Sequence, residues 1–407
     1  MQKNSGVHHE VKFPLVLIHT PYGLKFFDKV AKTKFGKIYA GFNIYLMPII
    51  TALAIFAIVG TLYTLTFSSS ADTFREGARD LGPQAFLLIP GLNPYLPITY
   101  GLAALFITII IHEAGHGIVA RVYNVRVDST GIVLLGIFPI GAFVNIEKDE
   151  LDKISFKQKS AILTAGPLNN MIVTLFSIAL LYTLVLSLSP IDGIETTGLL
   201  IHEVHDNSLA SSIGISKHSL LTSINGQSVN DIVELNNVLQ NNLGNNMEIT
   251  WISKDGTEFT KSVQLPESKP NGPILGITPI PLKDPSSLLE RYKSLFTPSS
   301  IREALGIIVP PTLNPISPYS DSMQNFYKSD LFGPLYPIIG NLLVWIAFIN
   351  FNVGIFNALP IGPLDGGQWY GSLLERKSFK NIKLSTFMTL GMTVIVGLSI
   401  ALPWILS

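Results

Sequence analysis

The chain contains no cysteine and is short of charge. Of its 407 residues 14% are charged, with 28 Lys and Arg against 28 Asp and Glu, where soluble domains carry roughly a quarter. Without cysteine there is no disulfide, no thiolate metal site and no cysteine nucleophile, and the redox compartment leaves no trace. The zero balance gives the chain no net attraction to phosphate, so no nucleic-acid partner is expected. Internal repeats of the kind that build carriers are also missing. This length at so low a charge excludes disorder and a small secreted scaffold. The charge that exists is clustered, and the gaps between clusters are long.

Five of those gaps can cross a bilayer, which takes ~20 apolar residues: Tyr45–Phe67, Pro97–Ala120, Ala161–Leu188, Leu331–Leu364 and Leu384–Ser407. The first lies too far from Met1 for a cleaved signal peptide. No soluble core needs five such runs. The expected fold is a polytopic α-helical membrane protein of about five to six spans. Residues 1–44, 121–160 and 365–383 would share one side and hold 17 Lys and Arg in 103 residues, against 11 in the 171 residues of 68–96 and 189–330. The more basic side is cytoplasmic, so the basic N-terminal segment 1–44 is expected there. Its Lys25, Lys29, Lys32, Lys34 and Lys37, mixed with Phe26, Phe27, Val30 and Phe35, fit either an interfacial helix on anionic lipid or a solvated arm.

The second run holds the pattern His112-Glu113-Ala114-Gly115-His116. On a helix, residues i and i+4 lie one above the other, so both imidazoles can reach one Zn²⁺. Glu113 follows His112 directly and comes within reach of water at the metal, where it can act as general base. Ionisable groups inside an apolar span are costly and mark function, although a polar helix-packing cluster is the structural alternative. A catalytic zinc keeps three protein ligands, so one more is needed. The fourth run ends Asn357-Ala-Leu-Pro360-Ile-Gly-Pro363-Leu-Asp365-Gly366-Gly367, and Asp365 is its first charge. Read from outside to inside, that run delivers its carboxylate to the cytoplasmic half, at a depth like that of the histidines. Pro360 and Pro363 break the helix, and the glycines permit a sharp turn.

H-E-x-x-H in one span, N-x-x-P-x-x-x-x-D-G-G in a later one and Ala165-Gly166-Pro167-Leu168-Asn169 between them resemble the site-2 protease family of intramembrane zinc metalloproteases. The resemblance runs from about Tyr22 to the last span. It implies one Zn²⁺ held by His112, His116 and Asp365, and Glu113 as catalytic base. By the same likeness Asn357 would hydrogen-bond the substrate or the developing oxyanion, and Asn169 would line the site or pack helices.

Ser129–Ile146 is uncharged and rich in β-branched residues, with Gly131, Gly136, Pro139 and Gly141, yet it lies between basic stretches. A re-entrant hairpin within a catalytic core of residues 97–190 is expected, a surface loop being the alternative. Gly141-Ala-Phe-Val-Asn145 resembles the family segment that pairs with substrate as an added strand. Residues 195–285 differ in kind. Short strands alternate with turn signals at Asn225-Gly226 and Asp255-Gly256, and the order resembles an inserted extracytoplasmic PDZ domain that takes a peptide or protein partner. His202 and His205 have i, i+3 spacing in a strand, which turns their rings to opposite faces; they and His8 and His9 are not expected to bind metal. The Pro- and Ser-rich stretch 286–330 reads as a linker, with Ser299–Val309 as a short amphipathic helix, before the C-terminal membrane part 331–407.

These readings together point to a zinc endopeptidase embedded in the lipid bilayer, cutting a membrane-anchored protein substrate in or near its transmembrane segment. The alternative is a non-enzymatic zinc carrier or a substrate-binding relative, but a carrier would spread ionisable groups over several spans.

Overall fold

A computed structural model of the chain describes residues 7–136, 138–191, 197–268, 272–282, 284–297, 307, 312, 316–376 and 382–406. Five helices among them are long and apolar enough to cross a membrane: Lys34–Phe67, Ile98–Val122, Phe156–Leu186, Gly333–Asn357 (its first turn 3₁₀) and Leu384–Ile405. They match the five apolar runs of the sequence. The described residues divide into one unit running to Ser177 and resuming at Trp345, and a second from Ile178 to Val344.

In the first unit the N-terminal segment is more than a basic arm. Strands β1 (His8–Lys12) and β2 (Leu15–Thr20) form a hairpin, and β2 pairs with β3 (Val127–Leu135), which pairs with β4 (Phe138–Ile146). The result is one four-stranded antiparallel sheet in sequence order. The apolar run Leu15-Val-Leu-Ile supplies the residues, and the partner strand lies more than a hundred positions away. His19 of β2 is buried and bonds Ser129 of β3 through Nδ1 at 2.9 Å. The expected β hairpin at Ser129–Ile146 is therefore present as β3 and β4.

Helix α1 (Leu24–Ala31) buries Phe27 and Ala31 and exposes Lys25 and Lys29. It approaches the apolar helix Ile98–Val122 closely, since a Cβ on Gly117 would stand 2.4 Å from the Phe27 ring. Helix α2 (Lys34–Phe67) begins well before the apolar run, because Thr33 caps it by accepting from the Gly36 N–H at 2.9 Å. At ~1.5 Å per residue it is about 50 Å long, more than a bilayer core requires. After it come α3 (Ala71–Leu81), α4 (Ile98–Val122), α5 (Lys148–Leu151) and α6 (Phe156–Leu186). Ala40, Val119, Ala120, Val125, Val127, Ala161, Ile162 and Ala165 form the core where α2, α4, β3 and α6 meet.

In the second unit β5 (Leu188–Pro190) precedes β6 (Gly198–Val204), α7 (Leu209–Ile213), β7 (Leu220–Ile224), β8 (Gln227–Ser228), α8 (Ile232–Asn241), β9 (Asn246–Ile252), β10 (Glu258–Gln264) and β11 (Ile277–Leu282). The sheet order is β10-β9-β7-β6-β11, with β8 paired to β7. Its core holds Leu199, Ile201, Leu221, Ile249 and Trp251 on the sheet and Leu235 and Leu239 from α8. Helix α9 (Pro285–Ser294) and β12 (Tyr327–Ser329), which pairs with β5, follow. Within the stretch read as a linker, several described residues are packed. Tyr319, Met323 and Tyr327 are essentially unexposed, and Tyr292 and Tyr319 join their hydroxyls in the interior. Proline richness signalled a restricted backbone rather than a free one, and the aromatic residues supplied the burial. The amphipathic helix expected over Ser299–Val309 falls outside the described residues except for Ile307.

The chain ends with α10 (Tyr336–Asn357), α11 (Asp365–Arg376) and α12 (Ile382–Ile405). Phe387, Leu390 and Val394 of α12 are exposed, the surface a lipid-facing helix presents.

Candidate metal centre

His112 and His116 stand one turn apart on α4 and are 7% and 8% exposed. Two contacts fix α4 beside its neighbours: Asn350 of α10 donates to Thr108 Oγ1 at 2.8 Å, and Asn169 of α6 donates to the Ile111 carbonyl at 2.8 Å. Asp365 arrives from a different part of the chain as the first residue of α11. The turn before it is anchored at both ends. Thr51 of α2 donates to the Ala358 carbonyl at 2.7 Å, and the Trp369 indole N–H donates to Ser160 of α6 at 2.6 Å. A Cβ on Gly366 would meet the Ala358 oxygen at 2.2 Å, and one on Gly367 the Ile361 oxygen at 2.1 Å. The D-G-G sequence therefore lets α11 begin hard against the preceding turn.

These elements bring three donor atoms together. Asp365 Oδ2 lies 3.1 Å from His112 Nε2 and 3.3 Å from His116 Nε2, and the two nitrogens are 3.2 Å apart. Tetrahedral zinc with ~2.1 Å bonds separates its nitrogen and oxygen ligands by roughly 3.4 Å. The donors already stand near that spacing, and three protein ligands leave a fourth position open. His116 Nδ1–H donates to the Ile162 carbonyl at 2.7 Å, which leaves the Nε2 lone pair for a metal. Among the described residues this is the one such group of three metal-ligating side chains, and two imidazoles with a carboxylate suit Zn²⁺.

Glu113 projects toward the hairpin, where its Oε2 accepts from the Val144 N–H of β4 at 2.9 Å. Gly141 and Asn145 lie on the same strand, Gly141 opposite Val133 and Asn145 opposite Ser129. Asn145 is exposed, and Gly141 borders an apolar groove of about 310 Å³ shared with Leu102, Phe106, Ile109, Ile110 and Ala142. Asn357 closes α10, its amide donating to the Val353 carbonyl at 3.0 Å, and no hydrogen bond joins it to the three donors. Asn169 is a packing residue: it accepts from the Tyr39 hydroxyl at 2.7 Å while its nitrogen holds Ile111. Its amide is engaged across α2, α4 and α6.

Gly166 was legible only as part of a motif. A Cβ there would lie 2.3 Å from His116 Nε2 and 2.5 Å from His112 Nε2, so α6 passes the donors at a distance only glycine permits. Thr51, Ser160 and Trp369, which seat the Asp365 turn, left no signal in the sequence.

The sequence profile of peptidase family M50, the site-2 protease family, matches residues 100–398, a stretch containing both histidines, Glu113 and Asp365. The chain belongs to peptidase family M50. Among its relatives is the uncharacterised protein MJ0971 of Methanocaldococcus jannaschii, 30% identical over 89% of this chain and 79% of that one. A Campylobacter jejuni protein provisionally named a zinc metalloprotease is 26% identical, covering 77% of this chain and 94% of its own. A Nostoc protein with the same provisional name is 24% identical over 75% and 94%. M50 membership and these names support a protease role, zinc as the metal and a multi-pass membrane protein, with the five apolar helices in agreement.

Proposed function

We propose that this M50 peptidase hydrolyses a peptide bond within or near the transmembrane segment of a membrane-anchored protein, as in regulated intramembrane proteolysis. The observation that carries this is a His-His-Asp group at zinc-ligand spacing, with both histidines on a helix long and apolar enough to span the bilayer. Held by His112, His116 and Asp365, Zn²⁺ would polarise the scissile carbonyl and acidify water toward a pKa of about 7. Glu113 takes the proton of the attacking water and passes it to the leaving amine. Asn357 is assigned to the substrate or the developing oxyanion.

A transmembrane helix hides its carbonyls in its own hydrogen bonds, so the substrate must unwind first. The outer edge of β4 offers replacement bonds. Ala142 and Val144 have their backbone groups turned away from β3, as the Val144 N–H bond to Glu113 reflects, and the apolar groove along α4 lies beside them. An extended substrate added to β4 through Gly141–Asn145 would end at the catalytic base.

The second unit is assigned a filtering role on the extracytoplasmic side given by the charge count, with the N-terminus in the cytoplasm. Its fold is read as PDZ-like, but size exclusion fits it better than strand addition at β11. Ile201 bonds toward β7, donating to Ser219 and accepting from His218, both at 2.8 Å, so Leu200 faces β11 and pairs with Ile280. Pro279 and Pro281 then face outward and offer an added peptide no N–H.

Sequencing the products of a membrane-anchored substrate tests the proposal. Cuts inside or next to its apolar segment are expected; cuts confined to distant soluble loops would overturn it.

A further inference from the structure

Asn170 is the neighbour of the residue that the family likeness singles out, and it touches the candidate metal centre directly. It lies on α6 with no exposure, its amide nitrogen 3.0 Å from His112 Nδ1. Its amide oxygen is buried without a hydrogen-bond partner. As drawn, the amide donates to Nδ1, and His112 must then carry its proton on Nε2, pointing at Asp365 Oδ2. That pattern suits a centre without metal. A histidine that binds metal through Nε2 carries its proton on Nδ1, and that N–H needs an acceptor. An amide nitrogen facing it would set two donors against each other in a buried site.

We propose that Asn170 is a positioning residue for the zinc centre, its carboxamide turned so that Oδ1 accepts from the Nδ1–H of His112. The inference rests on the zinc reading. Turning the amide over needs no movement of the backbone, because its oxygen and nitrogen have nearly the same shape. The unpartnered oxygen then gains a donor. The two histidines become equivalent: His116 delivers its Nδ1–H to the Ile162 carbonyl, and His112 delivers its own to Asn170, both on the same helix. No backbone carbonyl takes that place for His112, so a side chain must. Asn169, one residue earlier and rotated about 100° around the helix, is occupied with Tyr39 and Ile111 and does not serve.

Asn170→Asp separates acceptor from donor. A carboxylate accepts from the imidazole N–H but cannot donate to it. Zinc affinity of the full chain in detergent is measured by competition with a chromogenic chelator, together with the visible spectrum of the Co²⁺-loaded protein. Asn170→Ala is expected to bind zinc about 10- to 100-fold more weakly, with an altered cobalt spectrum and an unfolding temperature, measured without metal, close to that of wild type. Asn170→Asp is expected to bind at least as tightly as wild type. An aspartate variant that loses zinc as fully as the alanine variant would overturn the proposal in favour of a donor. Unchanged zinc affinity in both variants would reduce Asn170 to helix packing. Should Asn170→Ala fail to fold, Asn170→Asp decides alone, because a donor role forbids it wild-type affinity. Wild-type protein that binds no zinc, or His116→Ala that binds it normally, would remove the zinc reading itself.

Discussion

Replacing Gly166 by alanine places one methyl group against the two atoms that matter most. The new Cβ would lie 2.3 Å from His116 Nε2 and 2.5 Å from His112 Nε2. Carbon and nitrogen atoms in contact settle near ~3.5 Å, so each imidazole must retreat by about 1 Å or α6 must withdraw. Neither retreat is free. His116 is held from behind by the Ile162 carbonyl, and α6 is locked to α4 through Asn169 and Ile111. Metal–ligand distances tolerate only ~0.2 Å, and misplacing a reacting group by ~1 Å costs roughly 100-fold in rate. Gly166→Ala is therefore expected to lose at least about 100-fold in zinc affinity and in cleavage. Gly60→Ala in α2, where the added carbon meets nothing within 4 Å, is the matched control and should bind zinc normally. Zinc content after gel filtration, read beside the unfolding temperature, separates loss of the site from loss of the fold. Full zinc occupancy and wild-type cleavage in Gly166→Ala would mean that the imidazoles do not stand where this geometry puts them.

Glu113→Gln keeps size and shape but removes the base, so it should retain zinc and lose cleavage by about 10²- to 10⁴-fold; single-turnover cleavage beside metal analysis checks both halves. In the second unit, burial together with Lys217 and Lys254 pushes the His218 pKa from 6.5 down to about 4. The unfolded chain then binds more protons between those values, so His218 contributes its stability fully above pH ~6.5 and loses it as the pH falls toward about 4. The protection factors of the Leu220–Ile224 amides, corrected for the intrinsic exchange rate at each pH, should fall over that window and do so less in His218→Asn, which tolerates the left-handed backbone of this position, φ 71°. An equal fall in both proteins would refute the assignment.

The chemistry was more legible than the architecture around it. Metal ligation needs particular side chains at a fixed helical interval, so His112, Glu113 and His116 announced themselves, and Asp365 stood out as the first charge after a long apolar run. Apolar length gave the five helices for the same reason: a bilayer sets their size. The hairpin His8–Thr20 escaped because its sheet partner is distant in sequence and the lysine cluster that follows it, Lys25 to Lys37, drew attention to an interfacial helix or a solvated arm. Tyr319, Met323 and Tyr327 were hidden by their proline- and serine-rich surroundings, where composition says nothing about which aromatic groups find a cavity. Asn169 and Asn170 differ by one step along α6. Only the orientation of that helix decides that the first packs against Tyr39 and the second faces His112. Gly166 likewise acquires meaning only once α6 lies against α4.

The most direct measurement of the central claim combines metal and base in one assay. Purified protein is incubated in bilayers with a membrane-anchored substrate, then stripped with a zinc chelator and reloaded with Zn²⁺, with Glu113→Gln carried through in parallel. Cleavage that disappears on stripping, returns on reloading and is lost by about 10²-fold or more in Glu113→Gln is the expected result. Cleavage that persists in the stripped protein, or runs at the wild-type rate in Glu113→Gln, would contradict a zinc peptidase built on His112, His116 and Asp365.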